Sequence, residues 1–120
     1  MNIEDFRDYC LLKAGATEEL PFGPTTLVFK VGGKLFALTD VDTFGSINVK
    51  CEPERAVELR EQHDYVLPGF HMNKKHWNTI LIGTGATVAQ LQQWIDHSYD
   101  LVRASLPRAV KAELTAAELE

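Results

Sequence analysis

Between Pro68 and Thr79 the chain reads Pro-Gly-Phe-His-Met-Asn-Lys-Lys-His-Trp-Asn-Thr, and side chains able to do chemistry are densest there. His71 to Thr79 holds two lysines, two histidines, two asparagines and a tryptophan, with no acidic residue. Lysine attracts phosphate, amides hydrogen-bond to sugar or base edges, and an indole offers a stacking face. The same composition also fits a solvated loop in which Trp77 is the first core residue of the next strand. Further cations are spaced to join the run. Lys30 and Lys50 occupy alternate positions of strands, Lys34 follows a glycine pair, and Arg55 stands near a helix start, where backbone N–H groups assist a phosphate. A nucleic-acid contact set of Lys30, Lys34, Lys50, Arg55, Lys74, Lys75, His76 and Asn78 follows. The alternative is a pocket for a small molecule (drug or metabolite), or an unrecognised active site. It would be lined by His71, Asn73, His76 and Trp77 beside Phe22 and Tyr65.

Other motifs carry less. Gly83-Thr84-Gly85-Ala86-Thr87-Val88 follows an apolar strand and opens a helix. It lacks the third glycine and the acidic partner of a dinucleotide fingerprint, and a capped strand-to-helix turn accounts for it. His71 and His76, or Asp96, His97 and Asp100, supply too few ligands for a metal site. No Ser-His-Asp set, P-loop or nucleophile elbow is present, so no cofactor and no metal is expected, and a binding role is favoured over an enzymatic one. Cys10 and Cys51 belong to no CxxC pair and read as buried thiols in a reducing compartment.

Composition narrows the partners. A chain of 120 residues suggests one domain, with the domain proper over residues 1–114 and a tail over 115–120. Seventeen acidic residues against 12 Lys plus Arg give a charge of -5, which excludes a histone-like polybasic binder and a basic membrane-surface helix. That acidity is uneven. Met1 to Phe70 carries 7 basic and 12 acidic residues, whereas His71 to Glu120 carries 5 of each. The acidic start, Met1-Asn2-Ile3-Glu4-Asp5, lacks the positive and apolar regions of a signal peptide, and no apolar run approaches the ~20 residues that span a bilayer. The expected location is the cytoplasm, with no membrane partner.

The elements that must position these residues can be read from period and punctuation. Asn2 caps a helix from Ile3 to Ala14 with Phe6 and Cys10 on its apolar stripe, and Gly15 ends it. Thr17 to Pro24 reads as a loop. Leu27–Val31 and Leu35–Thr39 alternate as strands around a Gly32-Gly33 turn, and Ser46–Cys51 makes a third. Pro53 starts a helix to about Gln62. Tyr65–Leu67 and Trp77–Ile82 are strands. Thr87 and Gln90 form a capping box for a helix striped by Leu91, Ile95, Ser98 and Val102, which Pro107 terminates. Arg108–Glu120 is a peripheral helical tail. The order α-βββ-α-ββ-α implies an α+β fold, a mostly antiparallel sheet packed by helices.

The run Pro68–Thr79 resembles the hallmark of the MmcQ/YjbR family of small bacterial proteins. Supporting it are Phe22-Gly23, Val28-Phe29-Lys30-Val31, Gly33-Lys34-Leu35-Phe36-Ala37, Lys50 to Ala56 and Ser98-Tyr99-Asp100-Leu101-Val102. The similarity extends from Met1 to about Leu114. It implies a frataxin-like (CyaY-like) α+β fold described as a double-wing DNA-binding motif, a bacterial cytoplasmic origin and DNA as the partner.

Overall fold

Gly32 and Gly33, with φ of 57° and 80°, turn the chain back on itself in conformations that glycine adopts without steric cost. Antiparallel pairing spreads from this hairpin. The computed structural model describes all 120 residues. Its elements are α1 (Ile3–Leu11), β1 (Ala16–Glu19), β2 (Thr26–Val31), β3 (Lys34–Asp40), β4 (Ser46–Lys50), α2 (Pro53–Gln62), β5 (Val66–Pro68), β6 (Trp77–Leu81), α3 (Val88–Ala104) and α4 (Arg108–Glu118). The strands form one six-stranded sheet in the order β1-β2-β3-β4-β6-β5. Every neighbouring pair is antiparallel. The fold is α+β, with the expected order extended by one strand and one helix.

Both additions have physical causes. α1 stops at Leu11, before Ala14, because Gly15 at φ 71° swings the chain directly into β1. Ala16-Thr17-Glu18-Glu19 carries little strand propensity of its own. The free edge of β2 makes it a strand, and its glutamates suit an edge that must not pair further. The C-terminal segment is a helix to Glu118 because Leu114 packs at the Gly15 turn, beside Val31, and Arg103 pairs with Glu118.

Twenty-one buried residues form one core on the helical face of the sheet. Leu27, Phe29, Ala37, Ile47, Val49, Ile80 and Val66 supply the sheet side. Phe6 of α1 meets Phe29 edge-on at 5.4 Å, and Leu91, Ile95 and Val102 of α3 lie across the middle. The opposite face has no helix. Register places Val28, Leu38, Asn48, Thr79 and Leu67 in one row across it. Val28 and Trp77 are the two buried apolar side chains outside the main core, and both belong to this second face.

One polar contact joins the layers at the glycine-hairpin end. Phe29 pairs with Ala37 and Lys30 with Leu35, so Phe36 is the extra residue of a bulge. The β3–β4 ladder stops at Ala37–Val49. Beyond it the Ser98 hydroxyl of α3 donates to the Phe36 carbonyl (2.5 Å) and accepts from the Lys50 N–H (2.8 Å). Ser98 is fully buried, so nothing else serves these two backbone groups. Replacing Ser98→Ala should lower unfolding free energy by about 1–3 kcal/mol, since it strands a buried donor and a buried acceptor. Urea denaturation reads the loss directly, and an unchanged midpoint would show that the hydroxyl contributes nothing.

Candidate functional site

The helix-free face acquires its shape from the segment Gly69–His76. Gly69 prolongs β5 by donating its N–H to the Trp77 carbonyl at 2.9 Å. A Cβ there would stand 2.8 Å from the Trp77 Cβ and 2.9 Å from its carbonyl oxygen, so only glycine allows this approach. The chain then leaves the sheet edge and folds back over the open face. Two polar side chains from that face hold it. Thr79 Oγ1 accepts the Phe70 N–H (2.9 Å) and donates to Asn48 Oδ1 (2.6 Å), while Asn48 Nδ2 donates to the Phe70 carbonyl (3.0 Å). Both backbone groups of Phe70 are therefore gripped by one buried Asn-Thr pair. The grip holds His71 at φ 58°, a left-handed conformation that costs a non-glycine residue about 1 kcal/mol or more. Downstream, Asn73 Oδ1 caps the Lys75 N–H at 2.9 Å, and Lys74 Nζ and Arg60 Nη2 donate to the Gly69 and Lys74 carbonyls.

Between this flap and the sheet lies a cleft of about 520 Å³. Phe22, Leu38, Phe70 and Met72 give it an apolar wall, and Thr26, Asp40, Ser46, Asn48 and His71 its polar positions. Of the small-molecule set read from the sequence, His71 and Phe22 both line the cleft. Asn73, His76 and Trp77 do not line it. Asn73 is spent on the loop turn, and Trp77, 8% exposed, sits beneath Gly69. Tyr65 lies elsewhere, stacked on His63 with its hydroxyl on Gln90. Residue reading missed the other eight lining residues, among them Asp40, Ser46, Asn48, Phe70 and Met72. Asn48 carried a signal, because an amide between Ile47 and Val49 in a central strand needs buried partners.

The cationic residues gather elsewhere. β2 ends, β3 begins, β4 ends and β6 begins at the same end of the sheet. Lys30, Lys34, Lys50, Arg55, Lys74, Lys75 and His76 belong to these strand ends and the adjoining segments. Lys30 and Lys50 project from the open face, where Lys50 stands opposite Trp77 in the register. Lys30 is paired with Glu19 at 2.8 Å, and Arg55 lies 3.8 Å from Glu58. Lys34 leans toward Ser105 of α3. Asn78 is a correction: it is 1% exposed on the helical face, and its amide donates to the Ala56 carbonyl of α2. It cannot reach a nucleic acid. In an antiparallel sheet its immediate neighbours face the open side and it faces the other, which its position in the run Trp77-Asn78-Thr79 already implied.

The remaining polar candidates have internal roles. Asp96 receives the Tyr9 hydroxyl and the Lys13 ammonium, tying α3 to α1, and His97 lies 3.3 Å from Glu52. Burial pushes the Cys10 and Cys51 thiols up from their usual range, so neither is a thiolate at neutral pH.

Known proteins share this architecture. A family model described as YjbR matches residues 11–101. The uncharacterised protein YjbR of Escherichia coli K12 is 32% identical over 108 residues, 89% of this chain and 92% of that one. The uncharacterised protein YbdF of Escherichia coli O157:H7 is 39% identical over 83 residues, 68% of each chain. Among solved structures, the Deinococcus radiodurans protein DR2400, described with domain DUF419, aligns with a TM-score of 0.88 at 35% identity, over 95% of this chain and 88% of that one. A Pseudomonas syringae protein aligns at 0.73 and 27% identity, over 85% of this chain and 99% of that one.

The Asn-Thr grip predicts how the flap opens. Thr79→Val keeps the side-chain shape and removes the hydroxyl, leaving the Phe70 N–H and Asn48 Oδ1 without it. Stability should fall by about 1–3 kcal/mol. Amide exchange should accelerate at Phe70 before it does at Ile80. Equal acceleration at both would mean that the flap has no independent hold.

Proposed function

The chain belongs to the YjbR family, and on that premise we propose that it binds DNA, gripping the phosphate backbone with the glycine-hairpin end of its sheet. One observation carries the reading. Seven cationic or ionisable side chains from five segments converge on one end of the sheet. They span three strand spacings, about 14 Å between β2 and β6. The β2–β3 hairpin, with Lys30 on the open face and Lys34 on the helical side, is one wing, and the flap with Lys74, Lys75 and His76 is the other. Lys50 and Trp77 form the floor between them. The double-wing, frataxin-like description that the family resemblance implies is part of this proposal.

The charge of -5 sets the strength of the interaction. Asp40 and Asp42 lie at the opposite end of the sheet and Glu4, Asp5 and Asp8 on α1, away from the wings. Glu52, Glu54 and Glu58 do stand on or beside the first turns of α2 and offset Arg55. Lys34, Lys50, Lys74 and Lys75 have no carboxylate within 4.0 Å, so four cations are available to phosphate. Binding is therefore weak and strongly salt-dependent, and sequence preference has little base-edge chemistry to rest on once Asn78 is buried.

Four available lysines imply that log affinity for duplex DNA falls against log salt with a slope of about -3 to -4. Lys50→Ala combined with Lys75→Ala should make that slope shallower by about 2 and weaken binding alike on unrelated sequences. Titration of fluorescent duplexes from about 20 to 200 mM salt measures both quantities. Absence of binding by micromolar protein at the lowest salt, or an unchanged slope in the double variant, overturns the reading.

A further inference from the structure

The cleft under the flap reaches from the middle of the open face to the end opposite the lysines. Thr26, Asp40 and Ser46 mark the far end of the open face, and no lysine or arginine lines the cavity. We propose that this cleft is a second site, which takes a flat organic cation or protonated amine of drug or metabolite size.

Volume, wall and charge select that class together. About 520 Å³ lies within the range of small-molecule pockets, ~300–1,000 Å³. Phe22 and Phe70 are 73% and 50% exposed, large apolar surfaces left uncovered at the mouth of one cavity. With Leu38 and Met72 they form a wall suited to a flat apolar body, and a phenyl face attracts a cation. Asp40 is the carboxylate of the lining. One of its oxygens accepts the Asp42 and Thr43 N–H groups at 2.9 and 3.1 Å, which fixes the side chain. The other has no protein partner and faces neither lysine nor arginine in the lining. An anionic ligand would meet this charge without compensation. The hydroxyls of Thr26 and Ser46 donate to no group in the protein and flank the carboxylate, ready for an amine or a ring nitrogen. His71 supplies the one ionisable nitrogen group of the lining, and it faces the ligand because the Asn48–Thr79 grip holds it in the left-handed conformation. The cavity is thus held open by the protein's own hydrogen bonds, so binding needs little reorganisation.

The test uses two flat dyes of opposite charge on the full chain, freed of nucleic acid: the cation proflavine and the anion 8-anilinonaphthalene-1-sulfonate. Proflavine should bind saturably and move the amide resonances of Thr26, Ser46, Asn48 and His71, but not those of Lys34 and Lys50. Asp40→Asn retains the turn-capping oxygen and should weaken proflavine about fivefold, the worth of one partly exposed charge contact. The anionic dye should not weaken in that variant. Phe22→Ala, at an exposed position, should weaken proflavine by about tenfold or more. No saturable proflavine binding, resonance shifts confined to the lysine end, or equal affinity for the two dyes overturns the proposal. The wild-type resonance map decides the site even if a variant fails to fold.

Discussion

Everything distinctive about the open face depends on the capture of one residue's backbone by two side chains. Asn48 and Thr79 sit opposite each other on β4 and β6, in the middle of the sheet, and between them they satisfy both the N–H and the C=O of Phe70. A polar pair in a central strand row would be costly if it were left unpartnered. Partnered, it turns a loop into a wall. The same contact places Phe70, His71 and Met72 against the cleft and returns Lys74, Lys75 and His76 to the end of the sheet. Gly69 is the companion constraint, because a side chain there would collide with Trp77 before the grip could close.

The consequence is a face with two chemically different ends. At the hairpin end, Lys50 and Trp77 lie side by side between Lys30 and the flap lysines. At the other end a carboxylate and exposed aromatics surround a cavity that contains no lysine or arginine. Antiparallel register explains the segregation: residues two apart on a strand share a face, so Lys50 and Asn48 share the open face but stand about 7 Å apart along it. An overall acidic charge is compatible with this arrangement because the acids of the α1 start and the β3–β4 turn lie away from the lysine end, while those of α2 offset Arg55 beside it.

The Ser98 contact shows how the helical layer participates. α3 closes the gap that the Phe36 bulge opens in the β3–β4 ladder, which fixes Lys50 at the end of its strand. Ser98 fell on the apolar stripe in the sequence, and a small hydroxyl on such a stripe has to find partners inside. Which partners it finds depends on where the bulge falls, and no local pattern marks Phe36 as the bulged residue rather than its neighbours.

Local physics made much of the molecule legible. The Asn2 and Thr87 caps, Pro53 at a helix start, the left-handed Gly32-Gly33 turn and the α3 stripe all act within a few residues of chain, and the structure contains each of them. The family run was visible too, and so was the concentration of cations around it. Long-range contact decided the rest. β1 is a strand because β2 has a free edge, α4 is held by the Leu114 contact at Gly15 and the Arg103–Glu118 pair, and Asn78 is lost to solvent because its strand parity turns it toward α2. The cleft belongs to this second class: Phe22, Asp40, Asn48 and Phe70 are spread over 49 residues of sequence. Only sheet register and the folded-back flap bring them together, because the free energy that joins them is that of burying and satisfying polar groups across strands, which a short window of chain does not contain.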